Sequence, residues 1–375
     1  DNSENRDVSL INELLYQLIE LSESKGLKGD IWHNYLKNLI FKAENIFTLN
    51  AEKKLLSKES SLYQLGLNDL KIINKLFQIT ISDLLKTFDL NGNEMSFLVN
   101  FKAVNRNQQN IELYQKIFNS SSAEENLKEL NSFYLKYGVN ILNQSRAFFW
   151  QNNNLKAISN PDQISFKQII SYKKQKKRLI ENTQSFLHNK KAHNVLLYGD
   201  SGTGKSSSVK ALLNEFFDQG LRLVEINSSQ IKKLPAILEF LSRRGLYFII
   251  FMDDLSFEEF ETDYKYLKAV MEGGIESKPE NVLFYATSNR RHLVREKWQD
   301  RESEIHESDI LNEKLSLSER FGLTLMYNSP AQEEYLKIVR ELAKQEDILL
   351  DKESLETRAL EWSRWNNGRS GRSAR

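Results

Sequence analysis

A run of glycines and small polar residues directly after a buried strand constrains this chain more than any other feature. The apolar segment NVLLY, which starts at Asn194, leads into Gly199, four further residues, and then Gly204, Lys205 and Ser206. This is the spacing G-x-x-x-x-G-K-[ST] between a strand and a helix, which forms a phosphate-binding loop. Glycines let backbone N–H groups curl around phosphate oxygens, and the dipole of the following helix adds positive potential. The segment therefore predicts a strand, a phosphate loop and a helix within an α/β fold.

The predicted phosphate loop assigns nucleotide-contacting roles to nine consecutive residues. They are Gly199, Asp200, Ser201, Gly202, Thr203, Gly204, Lys205, Ser206 and Ser207. We expect Lys205 to reach the β- and γ-phosphates, and the hydroxyl of Ser206 to ligate Mg²⁺. The letters GDSG also surround the nucleophile of trypsin-like serine proteases. The alternation of strands and helices in this chain does not suit an all-β protease, so Ser201 is not a predicted nucleophile.

A pair of acidic residues ends a second apolar strand. The segment YFIIFM, which starts at Tyr247, is followed directly by Asp253 and Asp254. In a parallel sheet the carboxyl end of this strand points toward the phosphate loop, where ligands bind. We expect Asp253 to hold Mg²⁺ through water and Asp254 to act as a general base or to orient a water molecule. The alternative is that the two acids end the strand only to meet solvent.

The prolines divide the chain into two regions of different texture. All four lie beyond residue 160, and the region before them has apolar residues at helical spacing, beginning with Leu10, Ile11, Leu14 and Leu15. A chain of 375 residues is long enough for two or three domains. We therefore predict an all-helical N-terminal domain over residues 1–150. The polar segment QNNNLKAISNPDQ predicts a linker over residues 151–163.

Short apolar runs alternate with helical patterns in the rest of the chain. Five such runs begin at Asn194, Leu221, Tyr247, Asn281 and Leu323. Buried strands separated by helices indicate an α/β domain with a five-stranded, mainly parallel sheet, which we place at residues 164–328. From Pro330 onward the pattern is helical, which predicts a small helical segment over residues 329–375.

Composition excludes several classes of function. The net charge is +1, so no overall field favours DNA or an anionic membrane. The absence of cysteine excludes disulfides and thiolate metal sites and fits the cytoplasm, and the histidines lack metal-ligand spacing. The longest apolar run, Leu246 to Met252, is too short to span a bilayer. The lysine run from Tyr172 to Arg178 predicts either a solvated helix face, which we favour, or a contact with nucleic-acid phosphates.

Taken in order, the motifs resemble those of the AAA+ ATPases. The resemblance covers roughly Asp162 to Arg375 and is carried by LLYGDSGTGKSS, FMDDLSFEEFETDYKYLKAVMEGG, YATSNRRHLVRE and NEKLSLSERFGLTL. These segments look closer still to a bacterial AAA+ family of predicted ATPases whose function is unknown. The resemblance implies an AAA+ P-loop core, with ATP and Mg²⁺ as ligands at Walker A and Walker B motifs. It also implies that residues 329–375 form a helical lid, which we expect to be truncated.

Two further roles follow from the resemblance. The segment FYATSN matches the strand that ends in the sensor 1 residue, which places Asn289 beside the γ-phosphate; the alternative for Asn289 is a helix N-cap. The segment LSERFG matches the element that presents an arginine finger to a neighbouring subunit, which nominates Arg320. The alternative for Arg320 is an interaction with a helix C-terminus. Arg290, Arg291 and Arg295 are the reserve candidates for the finger.

The resemblance also gives a role to the final segment, WNNGRSGRSAR. An arginine at this place in AAA+ proteins reaches from the lid to the γ-phosphate as sensor 2, and Arg372 matches best. Arg369 and Arg375 stay open as alternatives, as does a generic basic tail. Ahead of the phosphate loop, Ile169 and Ile170 match the segment that borders the adenine.

The resemblance implies an enzyme, and one residue departs from the family pattern. Asp254 stands where AAA+ proteins usually have glutamate, and its shorter side chain requires a closer water. The leading hypothesis is a Mg-dependent ATPase that is a homo-oligomer when active and that remodels or loads an unknown protein client through its N-terminal domain. The alternatives are a nucleotide-gated regulatory module with little hydrolysis and a helicase-loader-like, DNA-associated ATPase. No guanine-specific motif follows the acidic strand, which favours ATP over GTP.

Overall fold

A computed structural model describes most of the chain in two compact units. The described residues are 2–88, 95–104, 118, 122–256, 263–272, 278–289, 317–365 and 368–375. The first unit is Asp1–Gln144 and the second is Ser145–Arg375. None of the described helices is both long and apolar enough to cross a bilayer.

The first unit is built mainly from helices. The described helices of eight residues or more, with one shorter helix, are α1 (Asn2–Ser24), α2 (Ile31–Lys42), α3 (Ile46–Lys53), α4 (Ser61–Leu76), α5 (Ile81–Thr87) and α6 (Ala123–Tyr137). The prediction of an all-helical region is wrong in one detail, because two short strands, β1 (Lys28–Gly29) and β2 (Phe101–Lys102), pair antiparallel. The chain can leave helical geometry before β1 because Gly26 has φ +66°.

One acidic side chain connects two helices of this unit. Asp30 is buried and caps α2, where its Oδ1 accepts a hydrogen bond from the backbone N of Trp32 at 2.8 Å. Its other oxygen accepts from the backbone N of Ile81, the first residue of α5, at 3.0 Å. Leu15 and Ile31 pack with Ile81 in the core beside this cap. The polar cap and the apolar contact therefore hold α2 and α5 together.

The second unit contains a seven-stranded sheet. Its strands are β3 (Ala147–Gln151), β4 (Asn154–Ala157), β5 (Val195–Gly199), β6 (Leu221–Glu225), β7 (Tyr247–Met252), β8 (Val282–Ser288) and β9 (Leu323–Tyr327). Their order is β4-β3-β6-β7-β8-β5-β9. All neighbouring pairs are parallel except β3 with β4. The α/β class and the strands β5 to β9 are confirmed, whereas the predicted count of five is wrong.

The two additional strands, β3 and β4, form a hairpin. It lies in the stretch that the sequence predicts to be the end of the first domain and the start of the linker. Asn152 and Asn153 have φ +52° and +55°, and Gln151 pairs with Asn154. Two successive left-handed residues are typical of a two-residue hairpin turn, and asparagine tolerates this conformation well. The asparagine run that suggested a linker is therefore a turn. The two units meet between Gln144 and Ser145, and part of the segment 151–163 lies in the sheet.

Helices cover the sheet and follow it in the chain. The described ones are α7 (Lys173–Leu187), α8 (Lys205–Phe216), α9 (Leu234–Ser242), α10 (Asp263–Glu272), α11 (Gln332–Gln345), α12 (Lys352–Trp365) and α13 (Gly371–Ala374). Val209, Leu212 and Phe216 of α8 pack in one core with apolar side chains of the central strands. The central strands read as continuous apolar runs because both of their faces are buried.

We predict that Leu212→Ala will destabilise the second unit by about 2–5 kcal/mol, because the side chain is fully buried and truncation leaves a cavity under the sheet. Urea unfolding followed by circular dichroism measures the change. Leu349→Ala is the matched control, since Leu349 is 98% exposed in the same unit. We expect the control to stay within about 0.5 kcal/mol of the parent protein. Equal losses for the two variants would contradict the described core.

Candidate functional site

The phosphate loop joins the end of β5 to the start of α8. Gly199, Gly202 and Gly204 have φ +130°, +74° and +89°, which is backbone that favours glycine. A Cβ added to Gly199 would lie 2.2 Å from the carbonyl O of Tyr327 on the neighbouring strand β9. The loop is closed internally by the Thr203 hydroxyl, which donates to the carbonyl O of Asp200 at 2.8 Å. At position 199, glycine is thus required both by the backbone conformation and by the close approach of β9.

A cavity of about 590 Å³ lies against this loop. It is lined by seven consecutive loop and helix residues, Ser201 through Ser207. Asp253, Asp254, Thr287 and Asn289 line it from the ends of the neighbouring strands. Because β5, β7 and β8 are parallel, their carboxyl ends meet at one edge, and the residues that follow them converge.

Lys205 is the first residue of α8, and its ammonium group lies under the loop. Nζ donates to the carbonyl oxygens of Gly199 and Asp200, both at 2.7 Å, and to Oδ1 of Asn289 at 3.1 Å. These carbonyl oxygens hold the ammonium at the point where a phosphate oxygen could replace them. The side chain is therefore pre-positioned beside both the loop and the end of β8.

The pKa of Lys205 reflects two opposed effects. Burial lowers it below the ordinary value of a lysine, because desolvation disfavours the cation. The carboxylates of Asp200, Asp254 and Asp253 act in the opposite direction, while the positive charge of Arg372 adds to the lowering. The negative groups that surround this lysine therefore favour its charged form.

Ser206 and Asp253, the two predicted metal ligands, are in direct contact. The Ser206 hydroxyl donates to Oδ1 of Asp253 at 2.5 Å. Hydroxyl and carboxylate oxygens are hard donors of the kind Mg²⁺ prefers, and Mg²⁺ sites commonly use one or two protein ligands together with phosphate oxygens and water. The donor set therefore fits Mg²⁺. No group of three or more His, Cys, Asp or Glu suited to a metal occurs within the described part of the chain.

Asp254 and Asn289 form a second polar pair at the same edge. Asn289 donates from Nδ2 to Oδ1 of Asp254 at 2.8 Å, while its Oδ1 accepts from Lys205. The two contacts agree on one orientation of the amide, since nitrogen donates and oxygen accepts. Asp254 has φ +51°, in the left-handed region that is uncommon for residues other than glycine. The backbone at Asp254 therefore turns sharply after β7.

Thr287 connects these two pairs and has no place among the predicted site residues. Its hydroxyl donates to Oδ1 of Asp253 at 2.5 Å and accepts from the backbone N of Asp254 at 2.8 Å. The sequence carried one signal for it, because residues two apart on a strand share a face and Thr287 lies two residues before Asn289. A threonine within an apolar strand is otherwise an ordinary strand former.

The final segment brings two of its three arginines to the cavity. Arg372 and Arg375 line it, and the backbone N of Arg372 donates to the carbonyl O of Gly202 at 3.2 Å. Arg369 instead donates to Oε1 of Gln332 at 3.5 Å and is not among the lining residues. Of the three arginines, Arg372 and Arg375 therefore lie at the cavity and Arg369 does not, while the sensor 2 role stays a prediction.

Arg320 lies apart from this cavity in the same chain. Its guanidinium forms an ion pair with Glu272 at the end of α10, at 2.5 Å, and both side chains are partly exposed. It does not line the cavity. The arginine-finger role of Arg320 stays a prediction. Arg290, Arg291 and Arg295 lie outside the described residues.

Apolar side chains also line the cavity. Ile169 and Ile170, which precede the loop, are among the lining residues, and their place beside an adenine stays a prediction. Ile338 and Leu342 of α11 also line the cavity. Ile338 and Leu342 are not among the predicted site residues, because their spacing on α11 indicates only a buried helix face.

The segment between β9 and α11 is connected to the phosphate loop through Asp200. Its Oδ2 accepts from the backbone N of Ser329 at 2.7 Å. This hydrogen bond, and to a lesser degree the charge of Lys205, holds the pKa of the Asp200 carboxyl below its usual value. The Tyr172 hydroxyl donates to the carbonyl O of Asn328 at 2.7 Å, and burial raises its pKa. Two side chains thus hold the segment between β9 and α11.

The comparisons with known proteins concern mainly the second unit. The family described as "Protein of unknown function (DUF815)" matches residues 143–375. No curated protein matches the chain.

Among solved structures, the RuvB Holliday junction branch migration motor of Thermotoga maritima is similar at 18% identity and a TM-score of 0.39. The match covers 56% of this chain and 61% of that one. A point mutant of the same motor matches at 15% identity with the same TM-score, over 56% and 62% of the two chains. The chain thus spans about three fifths of the motor's length, and the likeness is partial.

We predict that Gly199→Ala will destabilise the second unit more than Gly368→Ala. Both residues have positive φ, +130° and +93°, so both substitutions strain the backbone by about 1–3 kcal/mol. The added methyl group at position 368 meets nothing within 4 Å, whereas at position 199 it overlaps the Tyr327 carbonyl. The overlap should cost a further 1–3 kcal/mol or so, read as a lower melting temperature. Equal melting temperatures for the two variants would contradict the close approach of the loop to β9.

Proposed function

The chain belongs to the DUF815 family, and from this premise we propose that it is an AAA+ P-loop ATPase that binds ATP with Mg²⁺ and hydrolyses it to ADP and phosphate. One observation carries the proposal. Lys205, Ser206, Asp253, Asp254 and Asn289 meet at one edge of the parallel sheet, around a single cavity. A structural role for any one of these residues would not require the other four beside it.

The phosphate chain of ATP would lie on the loop between Gly199 and Gly204. Backbone N–H groups of such a loop bind phosphate oxygens, and the N-terminus of α8 adds its dipole. Lys205 would exchange its contacts with the two loop carbonyl oxygens for the β- and γ-phosphates. The apolar side chains of Ile169, Ile170 and Ile338 offer a surface for the adenine ring.

Ser206 and Asp253 are the residues that would hold Mg²⁺. Bound there, the ion would neutralise charge on the β- and γ-phosphate oxygens. Asp254 would orient the attacking water, with its carboxylate held by the amide of Asn289. Because aspartate is one methylene shorter than glutamate, the water would have to lie closer to the strand. Arg372, beside Gly202, would meet the charge that develops on the γ-phosphate.

The finer part of the proposal is an active homo-oligomer that remodels or loads a protein client. Arg320 would act on the ATP of a neighbouring subunit, because it lies away from the cavity of its own. Residues 329–375 would act as the lid, and the helical first unit would contact the client. Leu10 and Leu14 of α1 and Leu65 and Ile72 of α4 are more than half exposed. We propose that these side chains contribute to the contact with the client.

We predict that Lys205→Ala will lower steady-state ATP hydrolysis at least about a hundredfold, since it removes the positive charge that would stabilise the transferring phosphate. Phosphate release by the purified full chain is the measurement, with nucleotide binding measured in parallel by equilibrium dialysis. Lys177→Ala is the matched control, because Lys177 is an exposed lysine on α7 whose partner is Glu181. Equal phosphate release from the parent and Lys205→Ala would refute hydrolysis. Nucleotide binding without turnover in the parent would favour a nucleotide-gated regulatory module.

We predict that Arg320→Ala will lower turnover about 10³-fold or more while nucleotide affinity changes little, as expected for an arginine supplied in trans. Mixing Arg320→Ala with Asp254→Asn should restore part of the activity, because some sites then combine an intact carboxylate with an intact arginine. The matched control is Arg340→Ala, which removes an arginine from an ion pair of equal length with Glu356. Normal turnover by Arg320→Ala would remove this residue from the site.

A further inference from the structure

Thr287 forms hydrogen bonds with both acids of the site, with the side chain of Asp253 and with the backbone of Asp254. It is on β8, it is 2% exposed, and it lines the cavity. Its hydroxyl contacts Oδ1 of Asp253 at 2.5 Å and the backbone N of Asp254 at 2.8 Å. Its carbonyl O accepts from the backbone N of Leu255 at 2.7 Å. One residue thus contacts three consecutive residues after β7.

The chemistry of these groups fixes the direction of each bond. A backbone N–H can only donate, so the Thr287 oxygen accepts from Asp254. A carboxylate can only accept, so the single hydroxyl proton of Thr287 points to Asp253. A hydroxyl that donates to one group and accepts from another has its rotation fixed by both partners. Thr287 therefore sets the position of the Asp253 carboxylate relative to the Asp254 backbone.

The backbone of Asp254 needs such support. Its φ of +51° lies in the left-handed region, which is uncommon for residues other than glycine. Hydrogen bonds from Asp254 N and Leu255 N to Thr287 hold this turn. The turn directs the Asp254 carboxylate to Asn289. Loss of the hydroxyl would remove one of the two hydrogen bonds between Thr287 and this turn and one of the two hydrogen bonds to Oδ1 of Asp253.

We propose that Thr287 is a positioning residue that holds the magnesium-binding carboxylate Asp253 and the water-orienting residue Asp254 in one geometry. The proposal rests on the proposed function of the site. Ser206 also donates to Asp253, but its hydroxyl is itself a predicted metal ligand. Thr287 approaches the same oxygen from β8, which leaves the Ser206 hydroxyl available to the metal. Groups that orient a metal ligand in this way typically change metal affinity 10–100-fold when removed.

The test compares Thr287→Val, which removes the hydroxyl at nearly constant shape, with Thr287→Ser, which keeps it. The probe is a fluorescent ATP analogue, titrated into each full-length protein at a series of Mg²⁺ concentrations and in the presence of a chelator. We expect Thr287→Val to raise the Mg²⁺ concentration for half-maximal binding about tenfold or more, while binding in chelator stays within twofold or so. Thr287→Ser should lie near the parent protein in both measurements.

Two further comparisons separate positioning from a general loss of stability. Thr183→Val is the matched control, because Thr183 is also fully buried in the second unit and its hydroxyl donates to Leu179 O at 2.9 Å. It should leave the Mg²⁺ dependence unchanged. If Thr287→Val does not fold, Thr287→Ala against Thr287→Ser isolates the hydroxyl alone.

The outcomes distinguish this inference from the function on which it rests. If the parent protein binds the analogue without any effect of Mg²⁺, or does not bind it, the proposed function is wrong. If the parent shows Mg²⁺-dependent binding and Thr287→Val has the same Mg²⁺ dependence, only the role of Thr287 is refuted. Equal losses with Mg²⁺ and with chelator, or no rescue by serine, would likewise refute positioning.

Discussion

The parallel pairing of β5 with β8 and of β8 with β7 is the constraint on which the site depends. Parallel strands end at the same edge of a sheet, so the residues that follow them meet without any long connection. The phosphate loop follows β5, the two acids follow β7, and Asn289 follows β8. An antiparallel neighbour would send its polar end to the opposite edge. The buried, apolar strands therefore determine where the polar residues of the site meet, although most of those polar residues lie after the strands and not on them.

The polar side chains at this edge of the sheet form one connected hydrogen-bond network. Lys205 contacts Asn289, Asn289 contacts Asp254, and Thr287 connects Asp254 to Asp253. Lys205, Asn289, Asp254 and Asp253 are thus joined in one chain of contacts, in which Thr287 positions the two acids. Preorganised dipoles and charges of this kind reduce the reorganisation needed during a reaction.

The phosphate loop is also connected to the C-terminal segment at two points. Asp200 accepts from Ser329, at the start of the segment, and Gly202 accepts from Arg372, near its end. Tyr335 is fully buried and donates its hydroxyl to Ser373 O or Ala359 O, both at 3.2 Å, which holds α11 to the last two helices. A change at the loop would therefore reach the segment through its beginning and its end.

Local sequence determined the elements whose signals lie within a few residues. The glycines, lysine and serine of the loop, and the acids after YFIIFM, are readable because each needs only its own strand as context. The hairpin at residues 147–157 was missed because its turn, Asn152–Asn153, looks like any polar linker until its strands are seen to pair. The predicted count of five strands was wrong because β3 and β4 were not recognised as strands.

The sequence by itself determined the kind of chemistry this protein can support, because a phosphate loop and its acids are local patterns. Only the tertiary structure decided which distant residues serve them. Thr287 lies at the site, Arg372 and Arg375 line the cavity whereas Arg369 does not, and Arg320 lies beside Glu272. Those assignments depend on strand register, on the path of the chain after α12 and on packing across the sheet. No local pattern records them, since each is a contact between residues far apart in the chain.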